Sequence, residues 1–207
     1  MNYWQNPSVD VLGLRIDEPV TSITDILVAL VGFMAYFKTE SNDNQRSLSL
    51  YRLFFLFTAI STLIAAFLGH AFAYYFGFNA RMIGWVFGAL GVAFAQFAVI
   101  YNTREIYNSS TFKALVILNA IEVTAVAVLI FIFKSFVVIE LHSAFGLVLM
   151  VTVLEAINYY RTRSQLSKNM IYGVALAIAA VICHISKLAF SNWLNHLDIS
   201  HLFMAAS

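Results

Sequence analysis

Long apolar stretches follow one another along almost the whole chain, separated by short polar connections. A helix needs about 20 apolar residues to cross a bilayer. Six stretches reach that length and the last is shorter, so the pattern predicts an all-α, polytopic membrane protein built as a seven-transmembrane helix bundle. The single transmembrane domain covers residues 1–207, with an extramembrane N-terminal segment at 1–18. The predicted spans lie at about 19–38, 48–76, 80–101, 111–133, 135–159, 166–188 and 193–207.

Composition supports the membrane assignment. The 207 residues are 61% hydrophobic and 11% charged, whereas a soluble domain has about 25% charged residues and about 45–50% apolar ones. The formal net charge of +1 provides no basic surface of the kind that binds nucleic acid. Membrane lipid is therefore the expected surrounding, and no nucleic-acid partner is expected.

The distribution of Lys and Arg predicts how the chain crosses the membrane. The loops after the first, third and fifth predicted spans carry eight of the twelve basic residues, and the other side carries four. Cytoplasmic loops carry the excess of positive charge, so the N-terminus is predicted outside. At about 1.5 Å per residue, every histidine then lies within about 5–12 Å of the outer boundary. These residues are His70, His142, His184, His196 and His201.

The stretch Asn192–Met204 concentrates ionisable groups at the start of an apolar segment. Asp198 and His201 are three residues apart and share a helix face. His196 and His201 are about 140° apart on a regular helix, so both reach one point only if His196 lies on the uncoiled entry to the helix. Polar groups inside a bilayer are costly and usually functional. We expect these residues to bind a metal together with His70, although Asp198 alone is also typical of a helix N-cap.

Other ionisable residues have two interpretations each. Asp25 follows a Pro and several Ser and Thr residues, a pattern typical of helix starts, so it is either a cap or a site residue. Histidines near an interface are either functional or simply hydrated. The residues expected around the metal ligands are His142, His184, Tyr74 and Glu18.

The sequence disfavours two other classes of membrane protein. A retinal protein needs a Lys in its last helix, and the predicted seventh span contains none. A transporter often has helices broken by Pro at the midplane, but Pro7 and Pro19 precede or open the first span. A haem-b protein stays open as an alternative, because histidines on different helices could supply axial ligands. Those histidines are His70, His142, His184 and His201.

Seven short-looped spans, a His late in the second span and a His pair at the start of the seventh resemble a superfamily of membrane hydrolases. Its members are the alkaline ceramidases, adiponectin-type receptors, hemolysin-III-like proteins and Per1-like proteins. The segments Glu18–Asp25 and Asn195–His201 also resemble an uncharacterised bacterial membrane family, a divergent branch of the same group. The final pair is His-x4-His here and His-x3-His in the superfamily. The superfamily serine before the second-span histidine is replaced by Ala66.

The resemblance implies a zinc site with His70, His196 and His201 as ligands. The superfamily has an aspartate in its third span, but residues 82–101 contain no carboxylate, so Asp25 or Asp198 would take that catalytic role. Three ligands leave zinc an open position, as in catalytic sites. The implied function is zinc-dependent hydrolysis of a lipid amide or ester near the outer leaflet. The alternative is a non-enzymatic metal-binding receptor or structural protein with the same ligands.

Overall fold

Helices account for nearly all of the regular structure. The computed structural model describes residues 7–39 and 46–207. Within these ranges, six helices are long and apolar enough to cross a membrane. The all-α prediction is thus confirmed, and six of the predicted spans match helices within a few residues at either end. The six helices are Pro19–Lys38, Arg46–Ala71, Phe78–Asn102, Ser109–Phe133, Val137–Thr162 and Gln165–Ile185.

Two of the spanning helices contain a π-helical segment, and short elements connect or extend the others. In chain order the strands are β1 (Ser8–Val11) and β2 (Leu14–Asp17). The helices are α1 (Pro19–Lys38), α2 (Arg46–Ile64, continued by the π-helical Ala65–Ala71), α3 (Ala73–Phe76), α4 (Phe78–Asn102), α5 (Ser109–Phe133), α6 (Val137–Ser143, continued by the π-helical Ala144–Val151), α7 (Thr152–Thr162), α8 (Gln165–Ile185) and α9 (His196–Ala206). A 3₁₀ turn, Arg104–Ile106, joins α4 to α5.

The predicted seventh span corresponds to the short helix α9. Its 11 residues rise only about 16 Å, well below the roughly 30 Å of a bilayer core. It is therefore not among the six helices that are long enough to span. Instead α9 packs against α8 and α1, which brings the end of the chain back to its first helix.

The centre of the bundle is the close contact between α2 and α4. Gly84, Gly88 and Gly91 lie on one face of α4, and a Cβ atom at each would come within 3.0–3.3 Å of α2 atoms. The atoms met at Gly88 and Gly91 are the hydroxyl oxygens of Ser61 and Thr58. Glycine at these positions lets the two backbones approach, as small residues commonly do between membrane helices.

A β-hairpin precedes the first helix in the predicted extramembrane segment. Strands β1 and β2 pair antiparallel, with Val11 opposite Leu14. The two turn residues, Leu12 and Gly13, have φ of 57° and 80°, the positive values that a two-residue hairpin turn of this kind requires. The hairpin contacts α3, directly after the second spanning helix, through Tyr74, whose hydroxyl donates to the carbonyl of Arg15 at 3.0 Å.

Candidate functional site

The first two turns of α1 present polar side chains to the interior of the bundle. Thr21, Ser22, Thr24 and Asp25 are all buried, and one turn further the same face continues with small apolar residues. Their three- and four-residue spacing places them on one helix stripe. An apolar spanning helix thus contributes a polar wall at one end of the bundle.

Asp25 lies between two imidazole rings from distant parts of the chain. Its Oδ2 is 3.6 Å from Nε2 of His70, and its Oδ1 is 3.4 Å from Nε2 of His201. The side chain of Asp25 is only 3% exposed. Within the described part of the chain, Oδ2 has no hydrogen-bond partner. A buried acceptor left unpaired costs about 1–3 kcal/mol, so a proton or a cation beside this oxygen would be stabilising.

The opposite nitrogen of each imidazole is held by a neighbouring polar group. Nδ1 of His70 contacts the carboxylate of Glu18, and Nδ1 of His201 lies 3.0 Å from Oγ1 of Thr24. His70 belongs to the π-helical end of α2, and π-helical turns are frequent at functional sites. Both rings therefore turn Nε2 toward Asp25.

The hydrogen bonds of Thr24 favour a hydrogen on Nδ1 of His201. The Thr24 hydroxyl donates to the carbonyl of Thr21 at 2.9 Å, which uses its single hydrogen. Its oxygen can then only accept from Nδ1 of His201, and a neutral ring so bonded has a lone pair on Nε2. The same holds for His70, whose Nδ1 donates to the Glu18 carboxylate. With both rings neutral, two lone pairs face the Asp25 carboxylate, an arrangement that a proton or a metal ion between them would stabilise.

The helix α9 positions Asp198 by a capping box. The carbonyl oxygen of the Asn195 side chain accepts from the backbone N–H of Leu197, and Asp198 accepts from the backbone N–H of Asn195, both at 2.7 Å. The second carboxylate oxygen of Asp198 accepts from the hydroxyl of Thr21, also at 2.7 Å. Asp198 is fully buried with both oxygens engaged. It therefore fixes α9 against α1.

His196 faces a different direction from His201. The sequence predicted an uncoiled entry at His196, but Asn195 is the cap and His196 is the first helical residue. The rings of His196 and His201 consequently diverge by about 140° around the axis. His196 lies against His184 of α8, with ring centroids 5.4 Å apart. Burial lowers the pKa of His196, and the nearby His184 and Lys187 lower it further.

His184 also contacts α6. Its Nε2 is 3.3 Å from Oε1 of Glu140, and both side chains are partly exposed. The predicted neighbours of the metal ligands thus separate into groups: Glu18 contacts His70 directly, His184 pairs with His196, and Tyr74 contacts the hairpin.

His142 belongs to a separate polar pair between α4, α5 and α6. Its Nδ1 is 2.7 Å from Oε1 of Glu122, and its Nε2 is 3.0 Å from the carbonyl oxygen of Ala89. The ring is buried with both nitrogens engaged, so these contacts fix its orientation away from Asp25.

Sequence reasoning missed Thr21 and Thr24, which hold Asp198 and His201. Their signal was present as the i, i+3, i+4 polar stripe ending at Asp25.

Sequence reasoning also missed a network at the opposite end of the bundle, where Glu155 is fully buried. That carboxylate accepts from the hydroxyl of Tyr51 at 2.6 Å and from the amide of Asn102 at 3.0 Å.

Among residues 7–39 and 46–207, no group of three or more His, Cys, Asp or Glu side chains is arranged so that it could hold a metal ion. The structure instead supplies two imidazole–carboxylate pairs that share Asp25. In a tetrahedral zinc centre with bonds of about 2.0–2.1 Å, neighbouring N and O ligands lie about 3.3 Å apart. The measured 3.4 and 3.6 Å are close to that value and longer than a strong hydrogen bond.

Comparison with protein families gives a match. No curated protein and no solved structure matches the chain. Residues 20–207 match a family of unknown function, DUF6962. The matched region begins in α1 and includes Asp25, His70 and His201. Because it covers most of the 207 residues, the chain belongs to the family of unknown function DUF6962.

Proposed function

We propose that this protein is a zinc-dependent membrane hydrolase that cleaves an amide or ester bond of a lipid, with the ion held by Asp25, His70 and His201. The observation that carries the proposal is the convergence of two Nε2 atoms on one buried carboxylate. The ligand set differs from the one that the superfamily resemblance implied, because Asp25 replaces His196.

The surroundings of the ligands favour a bound metal. A histidine that binds a metal through one nitrogen usually donates its other N–H to a carboxylate or another acceptor, which orients the ring. Glu18 supplies that acceptor for His70, and the Thr24 hydroxyl supplies it for His201. An ion between the rings would also give Oδ2 of Asp25 the partner that it lacks.

Hydrolysis is favoured over a purely structural metal by the accessibility of the ligands. The side chains of His70 and His201 are 20% and 12% exposed, so the site is not sealed. Only three protein ligands are proposed, which leaves a coordination position open as in catalytic zinc sites. Zinc, when bound, polarises a carbonyl group and lowers the pKa of water to about 7.

The residues have defined tasks in this reaction. His70, His201 and Asp25 would hold the ion, and the carboxylate of Asp25 can accept a proton from water. The water oxygen joins the carbonyl carbon, the bond to nitrogen or oxygen breaks, and the proton passes to the leaving group. Asp198 positions α9 rather than transferring protons, because both of its oxygens are occupied.

The site lies near one membrane surface. Asp25 is in the second turn of α1, about 9 Å from the start of that helix. The excess of Lys and Arg at the opposite ends of the helices favours an N-terminus outside the cytoplasm. The substrate that reaches such a site is a lipid of the outer leaflet, with its scissile bond close to the headgroup.

Metal analysis of the purified protein tests the site. Wild-type protein in detergent should retain about one zinc ion at the site after dialysis. Asp25→Asn and His201→Gln should lose it, because each substitution removes or weakens a ligand. Tyr74→Phe is the matched control, since it removes only the hydrogen bond to Arg15. Unchanged zinc in an Asp25→Asn/His201→Gln double variant would refute the ligand assignment.

Lipid hydrolysis tests the reaction. Wild-type protein in vesicles that contain ceramide and phospholipids should release fatty acid, detected by mass spectrometry. Asp25→Asn should release none, and Tyr74→Phe should act as wild type. A folded protein that holds zinc but releases no fatty acid from these lipids would refute the enzymatic assignment and leave a metal-binding receptor or structural protein.

A further inference from the structure

The β-hairpin that precedes α1 has one apolar face and one polar face. Side chains alternate between the two faces of a strand, and the antiparallel register fixes which of them lie side by side. The apolar face consists of two cross-strand pairs, Val9 with Ile16 and Val11 with Leu14. The polar face consists of the other two pairs, Ser8 with Asp17 and Asp10 with Arg15. Such a separation is typical of a sheet that meets an apolar phase on one side and water on the other.

The apolar face becomes more exposed toward the turn. Val9 and Ile16, near the base of the hairpin, are partly buried. Val11 and Leu14 are each 50% exposed, and Leu12 in the turn is fully exposed. A two-stranded hairpin is at best marginally stable in water. An apolar phase that covers the exposed half of this face would therefore stabilise the hairpin.

The turn has a leucine where its backbone favours other residues. Leu12 has a φ of 57°, and turns of this kind favour Asn, Asp or Gly at that position, because a bulky side chain is strained at positive φ. Asp10 supports the turn by accepting from the N–H of Gly13 at 2.8 Å. Leucine at the tip is thus unfavourable for the backbone and for exposure to water, and transfer of the side chain into an apolar phase offsets both effects.

The hairpin is held at the end of the bundle where the first spanning helix begins. The N–H of Glu18 donates to the carbonyl of Pro7 at 2.8 Å, which closes the base of the hairpin directly before α1. On the polar face, the guanidinium of Arg15 lies 5.3 Å from the ring centre of Tyr74. Tyr74 and Tyr75 of α3 are both exposed. Tyrosine and tryptophan are enriched at the boundary between hydrocarbon and water, so the hairpin lies beside that boundary.

We propose that the hairpin binds the lipid of the leaflet at which α1 begins, with its apolar face among the acyl chains and its polar face toward water. Insertion covers the exposed parts of Val11, Leu12 and Leu14. Lipid is the partner that the fold places beside these residues, because the hairpin continues directly into a helix long and apolar enough to cross a membrane. This surface is independent of Asp25 and its neighbours, so it can be tested separately from the proposed hydrolysis.

A fluorescent label on each face of the hairpin tests the orientation. Val11→Cys and Ser8→Cys, each in a full chain with Cys183→Ser, are labelled with the environment-sensitive dye NBD and reconstituted into phosphatidylcholine vesicles. The label at position 11 should emit at a shorter wavelength and be quenched by lipids that carry a nitroxide on the acyl chain. The label at position 8, on the polar face, is the matched control and should be quenched by aqueous iodide instead. Quenching of both labels by iodide, and of neither by the nitroxide lipids, would overturn the proposal.

A second variant separates insertion from the folding of the hairpin. Leu12→Asn removes the apolar tip and suits a positive φ better than leucine, and Leu14→Thr keeps a residue that favours strands. With both substitutions, the label at position 11 should lose most of its quenching by nitroxide lipids, while the thermal unfolding temperature in detergent stays unchanged. Undiminished quenching in this variant would contradict insertion. A label at position 11 that is shielded from both quenchers, together with disulfide cross-linking of two Val11→Cys chains, would overturn the proposal and identify a second copy of the chain as the partner.

Discussion

Oδ1 of Asp25 lies 3.4 Å from Nε2 of His201, which joins the first helix of the chain to its last. Two further contacts cross the same interface: the Thr21 hydroxyl donates to Asp198, and Thr24 contacts Nδ1 of His201. The ends of the chain are therefore held together by polar groups that also form the candidate site. We expect substitutions at this interface to change either metal affinity or the docking of α9 on α1, depending on which residue is replaced.

The groups that orient the imidazoles should control metal affinity without being ligands. Thr24→Val removes the acceptor for Nδ1 of His201, and Glu18→Gln weakens the contact with Nδ1 of His70. Loss of such partners usually lowers metal affinity about 10- to 100-fold. Competition with a fluorescent zinc chelator measures the change. Thr124→Val is the matched control, because that hydroxyl is exposed and donates to the Ala120 carbonyl of its own helix; an equal loss of affinity in this variant would contradict the orienting role.

Asp198 should act on stability more than on chemistry. Asp198→Ala leaves the Thr21 hydroxyl and the Asn195 N–H without their acceptor, at a cost of about 1–3 kcal/mol in the free energy of unfolding. Asn195→Ala removes only one cap bond and should cost about 1 kcal/mol. Denaturation with sodium dodecyl sulfate, followed by circular dichroism, measures both. If Asp198→Ala abolished hydrolysis with unchanged stability, a direct catalytic role would be indicated instead.

Gly146 should be intolerant of a side chain. A Cβ at this position would lie 2.5 Å from Cγ1 of Val92 and 3.0 Å from Nε2 of Gln96. Gly146→Ala should therefore destabilise the contact between α4 and the π-helical segment by about 1–3 kcal/mol, as overpacked cores do. Gly69→Ala is the comparison, because its nearest neighbour would be Cβ of Ala65 at 3.8 Å. Equal stability of the two variants would contradict this packing.

The buried Glu155 network should stabilise the opposite end of the bundle. Tyr51→Phe removes a 2.6 Å hydrogen bond to a buried carboxylate, and bonds to charged groups contribute about 1.5–3 kcal/mol. The loss should appear as a lower thermal unfolding temperature in detergent. Tyr172→Phe, at an exposed tyrosine, should leave that temperature unchanged. Zinc content should not change in either variant, since Glu155 is not part of the proposed metal site.

The orientation in the membrane can be tested with single cysteines. Cys183 is the chain's one cysteine, so Cys183→Ser provides a background without thiols. In intact cells, an impermeant maleimide should label Ser8→Cys in the hairpin at once, and Ser110→Cys at the start of α5 only after permeabilisation. The reverse pattern would place the N-terminus and the candidate site on the cytoplasmic side.

Much of the helical layout could be predicted because hydrophobic length and charge are local properties of the sequence. The first span was predicted at 19–38, and α1 is Pro19–Lys38. The seventh span was predicted over 193–207. The helix found there is the shorter α9, which begins at His196 because Asn195 is its cap residue. Zinc binding and hydrolysis remain predictions.

The amino-acid sequence by itself determined that the chain forms apolar helices with ionisable groups near one end, and it identified Asp25, His70, His196, Asp198 and His201 as candidates. Only the tertiary structure decided which groups meet. The rotation of each helix about its axis is set by packing against several neighbours at once, and that rotation turned His201 toward Asp25 and His196 toward His184. No local pattern in the sequence fixes that angle.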